Sequence, residues 1–176
     1  PRAAPPPFPP GMVLLLGALT AFVAIAIDMY LPSLPSLVHD LGGAPGAGQL
    51  TVAAFLAGIA IGQLVYGPVS DRIGRRGPLL VGLCLFLVAT AGCALTPSLP
   101  VLIGLRFVQA LGGCSGIVLA RAVVRDRCDP RQSVQIYSLL MLVMGIAPVL
   151  APMVGGWVTT ALGWRAIFWM QALFGL

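Results

Sequence analysis

The sequence predicts an all-α membrane protein, one bundle of six helical spans, and three observations carry that expectation. Of its 176 residues, 59% are apolar and only 9% charged, too few polar side chains to clothe a water-soluble globule. The apolar residues fall in long runs, and at about 20 residues per crossing six spans would use roughly 120 of them. All ten basic side chains are arginines, set against five aspartates, and most gather in two connections between the runs. Little chain is left for a soluble catalytic domain. The four cysteines have no Cys-x-x-Cys spacing, so neither a disulfide framework nor a metal site is expected, and no cofactor is implied.

Each element has its own signal. Residues 1–11 open with PRAAPPPFPP, a proline density that cannot pack a core and predicts a disordered tail. The first span covers about 12–38, interrupted only by Asp28, with Pro32 and Pro35 bending its outer end. It is too long for the apolar stretch of a cleaved signal peptide, although Ala24-Ile25-Ala26 mimics a cleavage site. Spans two to five are read at 49–69, 78–96, 98–120 and 133–160, with Pro78 suiting the first turn of the third. The sixth, 164–176, is incomplete, because about 13 residues cannot cross a bilayer.

Arginine positions set the orientation. Arg72, Arg75 and Arg76 follow span two, and Arg121, Arg125, Arg127 and Arg131 follow span four, whereas the opposite connections contribute only Arg165. The N-terminus and both basic connections are therefore expected on the cytoplasmic side. No aromatic residues interleave with these arginines as a base-stacking surface requires, so nucleic acid is not an expected partner and the bilayer is.

Two charges stand inside apolar runs. Asp28 and Arg106 each cost about 2.5 to 3.5 kcal/mol at a helix centre, which points to function rather than stability. Counting about 1.5 Å per residue puts both roughly 4 to 5 Å outside the midplane. Gln109, Ala110, Gly113 and Ile117 share the Arg106 face, a polar and small-residue stripe expected toward the bundle interior. Ala21, Ala24, Ile25, Leu31 and Pro35 share the Asp28 face. An acid and an arginine facing each other at one depth suggest a hydrated cavity in which Asp28 carries protons; a permanent structural ion pair is the plainer reading. Ala24, Tyr30, Gln109, Gly113 and Met141 are the candidate cavity residues, although Trp157, Trp164 and Trp169 suit interfacial anchoring and Met141 and Met144 suit packing.

Two further segments look mechanical. Gly67 to Arg76 reads as a tight turn carrying Asp71, Arg72, Gly74, Arg75 and Arg76, where Asp71, at the negative end of its helix, should seek an arginine or another helix's N-terminus and act as a latch. Span five holds Gly145, Pro148, Pro152, Gly155 and Gly156; both prolines forfeit a backbone bond and should bend it, and the glycines permit close approach. Gly58 with Gly62, and Gly112 with Gly116, are small-xxx-small pairs for helix packing.

Asp28-Met29-Tyr30-Leu31-Pro32, the Gly67–Arg76 segment, the run from Arg106 through Arg121 and the Pro148/Pro152/Gly155/Gly156 helix together resemble the N-terminal half of a major facilitator superfamily drug:proton antiporter. The first segment and LRFVQALGGCSGIVLARAVVRD are similar to the Bcr/CflA type, associated with bicyclomycin and chloramphenicol resistance. The resemblance implies a six-helix N-terminal bundle of a twelve-helix fold, its last helix truncated and its C-terminal six-helix bundle missing, in a bacterial cytoplasmic membrane. It further implies small drugs exported against inward protons, proton coupling at Arg106, and a cytoplasmic gate at Asp71, Arg72 and Arg75. Ala151 departs from the wider pattern, in which Gly commonly precedes the second proline.

Other classes fit less well. Gly113-Cys114-Ser115-Gly116 spells the Gly-x-Ser-Gly of rhomboid proteases, but the only histidine, His39, lies about 30 Å away in depth, out of reach as a base. An enzyme is therefore not expected. A facilitator or solute importer of the same fold is the nearer rival, against which Asp28 and the proline-rich fifth span argue.

Overall fold

The computed structural model describes residues 9–175, and the tail expected over 1–11 lies outside them as far as Phe8. Pro10 and Gly11 already belong to α1 (Pro10–Asp28), because proline at a first helical position forfeits no hydrogen bond. A 3-10 turn, Leu31–Ser33, and a short α2 (Leu34–Asp40) follow, then α3 (Ala47–Ile73), α4 (Arg76–Leu95), α5 (Leu99–Arg127), α6 (Pro130–Leu162) and α7 (Trp164–Gly175). No strand occurs among the described residues. Five segments are long and apolar enough to cross a membrane, with α1 through α2 counted as one; α7, of 12 residues, is shorter than a crossing.

The ends of two helices differ from the sequence reading. α3 runs on through Pro68 to Ile73, so Gly67–Arg76 is not one turn; the turn is confined to Gly74 and Arg75, with Gly74 at φ +90°, where a side chain would be strained. α5 continues to Arg127, so Arg121, Arg125 and Arg127 stand on helix rather than in a loop. Arginine is a good helix former, its charge is favourable at a helix C-terminus, and its stem can run along apolar surface, so positive charge does not end a span. α6 is likewise continuous through Pro148 and Pro152.

α5 is the central helix, packed against α3 and α4, while α1 packs on α6 and α5, and α7 on α4. Small residues set the close crossings: Gly58 lies against the Phe107 carbonyl, Gly62 against Cys114, Gly112 against Gly82 and Phe86, and Gly116 against the Leu19 carbonyl. α6 leaves a broad apolar face uncovered, including Leu142, Ile146, Val149, Met153 and Trp157, and α3 leaves Leu56, Ile61, Leu64 and Val65.

The first span breaks earlier than its prolines alone suggest. The helix ends at Asp28, four residues before Pro32, whose ring collides with the carbonyl of residue i−4 and which has no N–H to give it. The Tyr30 N–H turns aside to the Ile27 carbonyl at 3.1 Å, which releases the Ala26 carbonyl from its usual helical partner. At the break, α6 comes against α1 at backbone distance, with Gly155 on the Met29 carbonyl and Gly156 near Pro32. A Cβ at Gly155 would collide with that carbonyl, whereas one at Gly145 would meet nothing within 4 Å. Gly155→Ala in the full-length protein is therefore expected to destabilise by about 1–3 kcal/mol, read as a fall in thermal midpoint. Gly145→Ala should be neutral or stabilising by up to roughly 1 kcal/mol through helix propensity alone.

Candidate functional site

The released Ala26 carbonyl is taken by Arg106. Its Nη1 and Nη2 each donate to that oxygen at 3.2 Å, and Nη1 also donates to Gln109 Oε1 at 2.7 Å. The side chain is fully buried, and its guanidinium lies over the rings of Tyr30 at 4.2 Å, Phe55 at 4.1 Å and Phe168 at 5.9 Å. Desolvated cation–π contacts of this kind are worth about 2 kcal/mol each at best, which offsets part of a burial penalty of several kcal/mol. Nε is left without a hydrogen-bond partner.

Around this centre run hydrogen bonds that reach five helices, α1, α3, α4, α5 and α7. Gln109 Nε2 donates to Thr90 Oγ1 on α4 at 2.7 Å and to Gln171 Oε1 on α7 at 3.0 Å, and Gln171 Nε2 reaches the Ala26 carbonyl at 3.5 Å. Tyr30 shares a hydrogen bond of 2.8 Å with Thr51 on α3. Thr51, Phe55, Thr90, Phe168 and Gln171 were not marked by the sequence reading. Only the polar ones carried any signal, as isolated hydrogen-bonding side chains in apolar runs.

Asp28 does not pair with Arg106. Among the described residues its carboxylate forms no ion pair or hydrogen bond; it is half-buried at the C-terminal end of α1, while Arg106 grips the backbone two residues earlier. Equal depth does not fix the direction in which a side chain leaves its helix. The expected cavity is also not formed by these residues. Tyr30 and Gln109 are fully buried, and Gly113 packs on Phe86 and Val23, so all three belong to packed core. Ala24 is half-buried, and Met141 stands 60% exposed on α6, away from them. Of the residues in α6, Gly155 and Gly156 face the break, whereas Gly145 and Pro148 are exposed.

A second cluster occupies the arginine-rich end. Arg75 Nη1 lies 2.6 Å from Asp71 Oδ1 and donates to Ser70 Oγ at 2.6 Å, while its Nε donates to Asp126 Oδ2 at 3.0 Å. Arg125 completes the group at 3.6 Å from Asp71 and 3.7 Å from Asp126. The Asp126 carboxylate raises the Arg75 pKa, with Asp71 adding to it and partial burial opposing. Asp71 thus finds the arginine it was expected to seek, and Asp126 and Arg125 join the cluster from α5, beyond the end at residue 120 expected for span four. Arg72 and Arg76 are exposed and join no ion pair among the described residues. Beside this cluster is a cleft of about 320 Å³, lined by Gln63, Gly67, Arg121 and Tyr137 as well as Asp71, Arg75 and Arg125.

At the other end of the bundle, the Trp164 ring is buried in the core while its N–H donates to the exposed Asp40 Oδ2 at 3.0 Å; Trp157 and Trp169 are exposed. Ser115 donates to the Gly112 carbonyl at 2.7 Å, and His39 is exposed beside Asp40.

Residues 16–176 match the family model described as Major Facilitator Superfamily. The chain is 41% identical over 166 residues to "Uncharacterized MFS-type transporter YdgK" of Bacillus subtilis (strain 168), covering 93% of this chain and 41% of that protein. It is 42% identical over 157 residues to a "Chloramphenicol resistance protein" of Pseudomonas aeruginosa, covering 89% of this chain and 38% of the relative. Against "Multidrug resistance protein D" of Escherichia coli (strain K12), identity is 38% over 157 residues, 89% of this chain and 40% of the relative. The chain thus spans about two fifths of the length of the curated relatives it matches.

Arg106→Lys keeps the charge but offers a single ammonium in place of the two-pronged hold on Ala26. The full-length variant is expected to lose about 1.5–3 kcal/mol, the worth of one charge-assisted hydrogen bond. The loss is read as a fall in thermal midpoint, and an unchanged midpoint would show that the fork geometry is immaterial.

Proposed function

Because the chain belongs to the Major Facilitator Superfamily, we propose that it is the N-terminal half of a bacterial inner-membrane exporter that expels small amphipathic antibiotics in exchange for protons by alternating access. The observation that carries this reading is Asp28, an acid with no ion pair or hydrogen bond among the described residues, at a helix break gripped from the next layer by a buried arginine. Such a carboxylate can gain and lose a proton without dismantling a salt bridge, while the charge that shapes its surroundings stays fixed on Arg106. Two of the relatives are named for chloramphenicol and multidrug resistance, which supports antibiotics as the solute class.

In this mechanism protonation of Asp28 from outside releases drug outward, and deprotonation toward the cytoplasm resets the site. Arg106 and Gln109 hold the break that positions the acid. The arginine-rich end and the N-terminus face the cytoplasm, since seven arginines lie on that side. The Asp71–Arg75–Asp126 cluster serves as the latch there, and the uncovered apolar faces of α3 and α6 receive the second six-helix bundle. Ala24 and Met141 are open to drug in this state, whereas Tyr30 and Gly113 reach it only in a more open one.

The test uses inside-out vesicles carrying the full-length protein and an acid interior. Chloramphenicol added outside should discharge part of the proton gradient, and Asp28→Asn should slow that discharge about a hundredfold, the low end of what a positioned proton-transfer group contributes. Wild-type discharge by the variant would refute Asp28 as carrier. Chloramphenicol equilibration with no discharge by either protein would instead mark a facilitator.

A further inference from the structure

We propose that Gln171 is a positioning residue for the coupling machinery, acting on Arg106 through Gln109; the proposal rests on the proton-exchange reading above. Gln171 lies on α7, fully inside the bundle, and touches neither Asp28 nor the guanidinium by any hydrogen bond among the described residues. Its role follows from the two faces of a primary amide. Gln109 can turn its carboxamide either way with almost no change of shape, but only one orientation presents oxygen to Arg106 Nη1, at 2.7 Å; the other sets donor against donor.

What selects the orientation is the pair of acceptors on the far side. Gln109 Nε2 has two hydrogens, taken by Thr90 Oγ1 and Gln171 Oε1, and the Thr90 hydroxyl is itself committed to the Phe86 carbonyl at 2.6 Å. Without Gln171, one amide N–H is left unpaired in a buried core, a penalty comparable to the hydrogen bond that Arg106 donates to Gln109. Gln171 also reaches the same Ala26 carbonyl that Arg106 holds. α7 therefore acts on both ends of the arginine–carbonyl contact, and the Asp28 carboxylate stands two residues beyond that carbonyl. Any displacement of α7 relative to α5 would be felt at the break.

The measurement is proton-driven chloramphenicol transport by the full-length protein in liposomes. Gln171→Met, which keeps the length and removes both polar atoms, should lower the maximal rate about tenfold while leaving KM within about twofold, the signature of lost turnover rather than lost binding. Gln171→Glu keeps the acceptor for Gln109 and gives up only the longer, 3.5 Å donation to the Ala26 carbonyl, so it should be impaired less than Gln171→Met and stay within about threefold of wild type. In a Gln109→Glu background the carboxylate offers oxygen whichever way it turns, so Gln171→Met should cost less than about twofold there. A wild-type rate for Gln171→Met, equal impairment by the Met and Glu variants, or the same loss in both backgrounds would each overturn the proposal and leave Gln171 as packing. Asp28→Asn, run alongside, separates the two levels: if it keeps wild-type coupling, the exchange reading itself fails. If it uncouples while Gln171→Met is unimpaired, only the role of Gln171 falls.

Discussion

The bundle is organised around one backbone oxygen. Pro32 stops α1 at Asp28, the stop releases the Ala26 carbonyl, and Arg106 reaches across from α5 to take it with two nitrogens. Neither feature would be tolerated without the other. A carbonyl left bare in an apolar interior costs several kcal/mol, and so does a guanidinium buried with no carboxylate against it. Together, with Gln109 as second acceptor and Tyr30, Phe55 and Phe168 around the cation, each satisfies the other. The helix break is thus a stable, specified feature of the fold, and the half-buried acid beside it is presented in one defined place.

Much of this was legible in the residues, and what was missed has a physical pattern. Spans follow from apolar run length, and Asp28 and Arg106 stand out because charge inside such runs is expensive. Depth also follows from counting along a helix. Direction around the helix does not follow from depth, because it depends on how each helix is turned about its own axis within the bundle. That is why the acid and the arginine, matched in depth, do not meet. The true partner was invisible for a simpler reason: a carbonyl belongs to every residue, and only the path of the backbone shows which one is free. Gln171 was hidden on a span read as incomplete, and Asp126 because an arginine-rich stretch was read as loop although arginine favours helix.

The two charged centres are built to different standards, and the difference assigns them different duties. At the arginine-rich end, Arg75 bridges Asp71 and Asp126, but these carboxylates are 54% and 43% exposed. Exposed pairs contribute little, and even a small network of them stays within reach of a modest competing contact. Such a cluster can be made in one state and exchanged in another. Removing the hold on Ala26 would strand both a buried charge and a buried carbonyl, a far larger cost. Both centres lie on α5, an unbroken helix of 29 residues packed along α3 and α4. A displacement of α5 as a unit would carry both centres together. The part of the site free to change is Asp28, with no ionic partner to give up, and proton exchange there is compatible with a core that does not come apart.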